Sequence, residues 1–137
     1  MPKATVGGII FRENGGKTEV LLTKRNIKPF KDYWCIPGGH IEQYEDTIEA
    51  VIREVKEETN LDFQPLYLCY LDEIFPEIDL HNIVQIFYGE ATNVPRAEPG
   101  EVSDIGWFDI EEALKMNLAF RHGEALRIFE KLVLREI

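Results

Sequence analysis

Gly39-His40-Ile41-Glu42-Gln43-Tyr44-Glu45-Asp46-Thr47-Ile48-Glu49-Ala50-Val51-Ile52-Arg53-Glu54-Val55-Lys56-Glu57-Glu58-Thr59-Asn60-Leu61 is the stretch that decides how this chain reads. Residues 46–59 predict a helix. Asp46 or Thr47 can cap its start, and Ile48, Val51, Ile52 and Val55 fall on one apolar stripe. Glu54, Glu57 and Glu58 share a second, contiguous face at i, i+3, i+4 spacing. Like charges so placed cost a bare helix a few tenths of a kcal/mol each. Two of the three also sit near the C-terminal end, where the helix dipole disfavours anions. A sequence selected for stability alone would avoid this. A hard divalent cation turns the repulsion into oxygen ligation, and Mg²⁺ uses a few carboxylates together with waters and substrate phosphates. A solvated acidic face is the bland alternative, and the surroundings weigh against it. Gly38-Gly39 precede a tight loop, Glu45 and Arg53 supply an opposite-charge pair, and Asn60 ends the helix.

Before this stretch, residues 4–12 read as a strand, Asn14-Gly15-Gly16 as a hairpin turn, and Glu19 to Thr23 as the returning strand. After it, Gln64–Ile74, Asn82–Ala91 and Asp104–Phe108 are β-rich, whereas Ile110–Met116 and Glu124–Leu134 have helical spacing. Strands and helices in this order predict a single α+β domain, an α/β/α sandwich around a mixed sheet.

The run from Gly39 through Glu45, Arg53-Glu54-Val55, Glu57-Glu58 and Asn60-Leu61 resembles the Nudix box: Gly, five residues, Glu, seven residues, Arg-Glu-aliphatic, one residue, Glu-Glu, one residue, Gly-aliphatic. Every spacing matches. Asn60 stands where the family has Gly, and Asn is the next-best residue for a left-handed helix end. Tyr44 replaces a glycine often found before the first Glu. The lead-in Trp34-Cys35-Ile36-Pro37-Gly38-Gly39 is similar to the family's approach to its catalytic loop, and the likeness extends over roughly residues 4–134.

The resemblance implies a Mg²⁺-dependent pyrophosphatase, with Mn²⁺ as a substitute. Glu54, Glu57 and Glu58 would bind metal, with the Gly39 carbonyl as a further ligand. The cation would neutralise the diphosphate and activate water for attack on phosphorus. Glu57, Glu58 and Glu101 are all placed to act as the base, with Glu98 a rival to Glu101. Arg53 joins this catalytic set by orienting carboxylates with Glu45, while Gly38, Glu45 and Asn60 shape the box. Arg25, Lys28, Phe30 and Trp34 are candidate substrate contacts. The loop from Arg25 to Lys31 and the proline at Pro76 resemble ADP-ribose pyrophosphatase-like members. ADP-ribose or another nucleoside diphosphate sugar is therefore the favoured substrate. A (d)NTP pyrophosphohydrolase of the pool-cleansing type and a degenerate nucleotide-binding regulator are the alternatives.

Composition bounds the rest. The chain has 137 residues and a net charge of −10, which argues against a general nucleic-acid binder. Residues 1–31 hold seven Lys or Arg against Glu13 and Glu19, a net +5 that leaves −15 for the remainder. A basic segment beside an acidic body suits an anionic ligand bridged by cations. No apolar run approaches the roughly 20 residues needed to span a bilayer, and Met1-Pro2-Lys3-Ala4 lacks a secretory h-region. A cytoplasmic protein with free Cys35 and Cys69 is expected, its partner a small nucleotide rather than a nucleic acid or a membrane. The resemblance also admits a homodimer.

Overall fold

The computed structural model describes residues 1–135. Strand β1 (Lys3–Asn14) and strand β2 (Lys17–Arg25) form the expected hairpin, with Gly15 and Gly16 at positive φ in its turn. Two short strands follow, β3 (Trp34–Cys35) and β4 (Gly38–His40), and then helix α1 (Thr47–Thr59). Beyond the helix come β5 (Asp62–Phe63), β6 (Leu66–Phe75), β7 (Leu80–Gly89), β8 (Ala91–Thr92) and β9 (Val102–Asp109). The chain closes with α2 (Ile110–Ala113) and α3 (His122–Phe129).

The main sheet runs β3-β2-β1-β7-β6, with β4 also on β1 and β9 also on β2. The β1–β7 pairing is parallel and the others are antiparallel, so the sheet is mixed. Strand β1 divides its second edge. Its C-terminal half, Phe11 to Asn14, pairs with β2, whereas Thr5 to Gly7 pair with β4. The chain is prised open between them, and the Gly8 N–H donates to the Pro37 carbonyl (2.9 Å) in the fork. This wedge carries the Gly38-Gly39 loop up against α1.

Alternation along the strands makes two cores, one on each face of the sheet. Ile9, Val20, Leu22, Val84 and Ile86 pack with Ala125, Leu126 and Phe129 of α3. Val6, Ile10, Leu21 and Phe87 pack with Ala50, Val51 and Val55 of α1. Helices thus cover both faces, the expected α/β/α sandwich. Among the described residues, no helix is long and apolar enough to cross a membrane.

Helix α1 starts on a capping box, in which the Asp46 carboxylate accepts from the Glu49 N–H (2.8 Å) and Glu49 accepts from the Asp46 N–H (3.1 Å). It ends at Asn60, whose φ of 67° is the left-handed conformation expected of its closing residue. The apolar stripe is a correction. Ile48 is 53% exposed and Ile52 also faces outward, while Ala50, Val51, Val55, Glu58 and Thr59 form the buried side. Val51 and Val55 of the stripe are buried, but the helix is turned so that Glu58 and the half-buried Glu54, and not the isoleucines, meet the rest of the protein, while Glu57 stays exposed. Two terminal helices differ as well: α2 stops after one turn, and α3 begins two residues earlier than its spacing predicts, passing into a wider-wound turn over Glu130–Leu134.

Candidate active site

A cavity of about 1270 Å³ opens along one end of the sheet, large for the pocket of a small ligand. Glu54 and Glu58 enter it from α1, Gly38 and Gly39 from the wedge, and Glu101 from the loop before β9. The glycines are required by proximity. A Cβ on Gly39 would stand 2.6 Å from the Glu54 carboxylate, and one on Gly38 would strike the Val6 carbonyl at 2.1 Å. The Gly38 N–H donates to Glu58 Oε1 (3.0 Å), fixing that carboxylate against the loop.

Arg53 organises the outer side. Its Nε and Nη2 grip Glu45 in a fork (2.7 and 3.0 Å), its Nη1 reaches Glu54 (3.0 Å) and Glu57 (3.2 Å), and Nη2 also donates to the His40 carbonyl (3.0 Å). This pairing, helped by the Glu42 N–H, holds the Glu45 carboxyl down to about 2, and it pushes the Arg53 guanidinium further up. Tyr44, 96% exposed, adopts φ 67° and so takes the glycine-like turn without needing room for its ring.

Burial raises the other carboxyls. Glu54 is pushed up to about 7 by desolvation, against the opposing pull of Arg53 and with further repulsion from Glu57 and Glu101. Glu58 is pushed up to about 8 by desolvation, with Glu54 and Glu101 adding repulsion and the Gly38 N–H opposing it. Carboxyls raised this far by burial and mutual repulsion in a sheltered cleft single out a candidate functional site. Among the described residues, no three His, Cys, Asp or Glu side chains already converge on one point. Glu57 is drawn aside onto Arg53 with its side chain 56% exposed.

The loop carrying Glu101 is sewn to the end of α1. The Arg96 N–H donates to the Thr59 carbonyl (2.9 Å), and the Glu98 N–H to the Glu58 carbonyl (3.2 Å). The Asn60 side chain donates to the Val94 carbonyl (3.0 Å). Glu98 spends both carboxylate oxygens on the Gly100 and Glu101 N–H groups (2.8 and 2.9 Å), which lowers its carboxyl and shapes the turn. Glu101 lines the cavity and Glu98 does not.

The candidate substrate contacts divide. Arg25, Lys28 and Phe30 line the cavity. Arg25 donates to the Pro29 carbonyl (2.7 Å) and lies over the Phe120 ring at 4.9 Å. Trp34 does not line it; its ring stacks edge-on against Phe108 (4.9 Å) in the α3-side core. Alternation through β3 and the residue after it accounts for this placement, since Trp34 and Ile36 pack in that core while Cys35 turns toward Thr23. Burial pushes the Cys35 thiol up to about 11, an inert state, and both cysteines are free.

Sequence reasoning missed the far wall: Thr5, Glu73, Phe75, Asn82, Phe120 and His122 also line the cavity. None belongs to a motif. Glu73 carried one available signal, a charge at an inward position between Leu71 and Phe75 of an alternating strand.

The profile described as NUDIX domain matches residues 1–129. The ADP-ribose pyrophosphatase of Methanocaldococcus jannaschii is 47% identical over 60 residues, covering 44% of this chain and 33% of that protein. The ADPR responsive transcriptional repressor NtrR of Acinetobacter baylyi is 27% identical over 140 residues, 92% of this chain and 52% of that protein. The chain therefore spans a third to about half the length of these curated relatives. In structure, a MutT NUDIX hydrolase from Burkholderia pseudomallei superposes with a TM-score of 0.84 at 27% identity, covering 93% of this chain and 97% of the other.

Proposed function

The chain belongs to the NUDIX family, and from that premise we propose that it is a divalent-cation-dependent hydrolase cutting the diphosphate bridge of a nucleoside diphosphate linked to another moiety, with ADP-ribose or a related NDP-sugar as its substrate. One observation carries the proposal. Two carboxylates from one helix, the buried Glu58 and the half-buried Glu54, enter the same cavity as Glu101; Glu58 accepts from the Gly38 N–H, and the missing side chain of Gly39 leaves room for Glu54.

The residues present fit Mg²⁺, or Mn²⁺ in its place: the hard oxygen donors of Glu54 and Glu58 at the cavity would hold the ion, with Glu57, paired to Arg53 beside Glu54, and the Gly39 carbonyl as further donors. When bound, the cation supplies charge neutralisation at the diphosphate and polarises the scissile bond. The chain's own residues do the rest. Arg53 holds Glu45 and Glu54 in place, Arg25 and Lys28 face the anionic part of the substrate, and Glu101 takes the proton of the attacking water. The ADP-ribose lean rests on the Arg25–Lys31 loop, on Pro76 and on the names of the two curated relatives.

The test is incubation with Mg²⁺ and a panel of NDP-sugars, dinucleotides and dNTPs, followed by product identification. AMP plus ribose 5-phosphate from ADP-ribose is expected, and Glu57→Gln should abolish it with the fold intact. A nucleoside monophosphate plus pyrophosphate from a dNTP would overturn the substrate. Turnover by Glu57→Gln at the normal rate would overturn the metal assignment.

A further inference from the structure

The cavity has a second half that the hydrolytic reading leaves unused. Glu73 and Asn82 are cross-strand partners on β6 and β7, and Thr5 of β1 lies beside Val84 in the neighbouring pair. All three line the cavity together with His122, the first residue of α3. Three phenylalanines of the same lining cluster together, Phe30 lying 4.8 Å from Phe120 and 5.8 Å from Phe75, and Phe120 lies 5.3 Å from the His122 ring, ring centre to ring centre.

The polar groups of this recess are incompletely paired. Glu73, 2% exposed, accepts two long hydrogen bonds among the described residues, from Asn82 Nδ2 (3.4 Å) and the Arg121 N–H (3.3 Å). A carboxylate offers about four acceptor positions and normally takes its partners at about 2.7–2.9 Å. His122 Nδ1 accepts from the Ile36 N–H (3.0 Å), which assigns the ring proton to Nε2. Burial keeps that ring neutral, pushing it down to about 3. Nε2 stands 3.8 Å from Glu73 Oε2, beyond hydrogen-bond reach. Among the described residues, the Thr5 hydroxyl is buried with no partner. Each unmet group is costly in a sheltered site, and together they describe what would satisfy them.

Phe30, Phe75 and Phe120, packed on one another, offer the cavity an aromatic surface that suits a flat ligand. It is uncharged on this side, because a buried carboxylate repels phosphate. Its edge carries an N–H donor for Glu73 next to an acceptor for His122 Nε2–H. An aminated nucleobase has this edge, an exocyclic amine beside a ring nitrogen. We infer that this recess is the base subsite, in which Glu73 accepts from the exocyclic amino group and His122 Nε2–H donates to the adjacent ring nitrogen. The inference rests on the reading of the cavity as a nucleotide site, and it assigns base selection to Glu73 and His122, outside the metal-binding helix.

The experiment compares AMP with purine riboside 5′-monophosphate, the same molecule lacking the amino group, by calorimetric titration of the full chain without metal. Loss of one hydrogen bond to a buried charge is worth about 10- to 100-fold, so AMP should bind tighter by that factor. Glu73→Met, similar in volume but without an acceptor, should reduce the ratio to near one. Equal binding of the two ligands by the unaltered protein overturns the proposal, as does no binding of either. A preference that survives in folded Glu73→Met also overturns it. Because the titration needs no turnover, a protein that discriminates the bases but hydrolyses nothing sinks only the hydrolase reading. One that cleaves ADP-ribose but binds both monophosphates alike sinks only the base subsite.

Discussion

Replacing Gly39 by alanine is expected to silence the catalytic site while leaving the protein folded. The new methyl carbon would lie 2.6 Å from the carboxyl carbon of Glu54. Non-bonded carbons settle at about 3.5 Å, so the carboxylate must retreat by roughly 0.9 Å. Gly39 does not occupy the left-handed region, so the alanine backbone itself is unstrained. The atom that yields is the free end of a side chain, and the fold loses little: about 1 kcal/mol or less, a few degrees in Tm. Chemistry loses more. A displacement near 1 Å at a reacting centre costs about 100-fold in rate, equivalent to about 2.7 kcal/mol of transition-state stabilisation. Gly38→Ala is the contrasting control, because its methyl would meet the Val6 backbone carbonyl at 2.1 Å and β4 would have to leave β1. That variant should lose about 1–3 kcal/mol of stability. The assay is kcat/KM with saturating Mg²⁺ beside thermal unfolding for both variants. Near-normal turnover by Gly39→Ala would refute the placement of Glu54 in the catalytic set. Unfolding of Gly39→Ala to the same degree as Gly38→Ala would refute the division between side-chain and backbone contact.

Arg53→Lys keeps the charge but cannot reproduce the fork on Glu45 together with the bonds to Glu54 and the His40 carbonyl. The Mg²⁺ concentration for half-maximal rate should rise about 10- to 100-fold, and an unchanged Mg²⁺ dependence would remove Arg53 from its positioning role. Glu101→Ala should reduce kcat by about 100-fold or more with KM little altered, measured on the substrate that the panel identifies; an unchanged kcat returns the base to Glu57 or Glu58. His122 gives a pH prediction. Its folded value of about 3 lies below the ordinary 6.5, so between these values the unfolded chain binds a proton that the native protein does not. The stability it protects is complete above pH 6.5 and falls by about 1.4 kcal/mol per pH unit below it. Between pH 6.5 and 5 the unaltered protein should lose about 2 kcal/mol more than His122→Gln in urea unfolding. Parallel pH profiles would contradict the buried neutral imidazole.

Helix α1 was legible in the sequence because its signals are local. Asp46 and Glu49 lie three residues apart, Asn60 tolerates positive φ, and the box spacing fixes which carboxylates share a face. The direction of that face was not legible from apolar periodicity. Ile48 and Ile52 count as core to a pattern that reads only hydrophobic letters, yet the helix buries Glu58 and Thr59. Trp34 shows the same limit: an aromatic near a catalytic loop reads alike whether it faces the ligand or Phe108, and the parity of a two-residue strand decides. The far wall was the least legible part, since Thr5, Glu73, Asn82 and His122 come from four elements and meet only through the register of β1, β7 and β6.

The Asn60 side chain gives the box's single departure from its pattern a mechanical meaning. A glycine at this position ends a helix equally well, but it has nothing with which to reach the Val94 carbonyl. With asparagine there, the helix end and the loop are basted along one seam, from Thr59–Arg96 through Glu58–Glu98 to Asn60–Val94. The carboxylates of α1 and the carboxylate of Glu101 are thereby carried on one hydrogen-bonded frame, their spacing set by backbone rather than by side-chain reach.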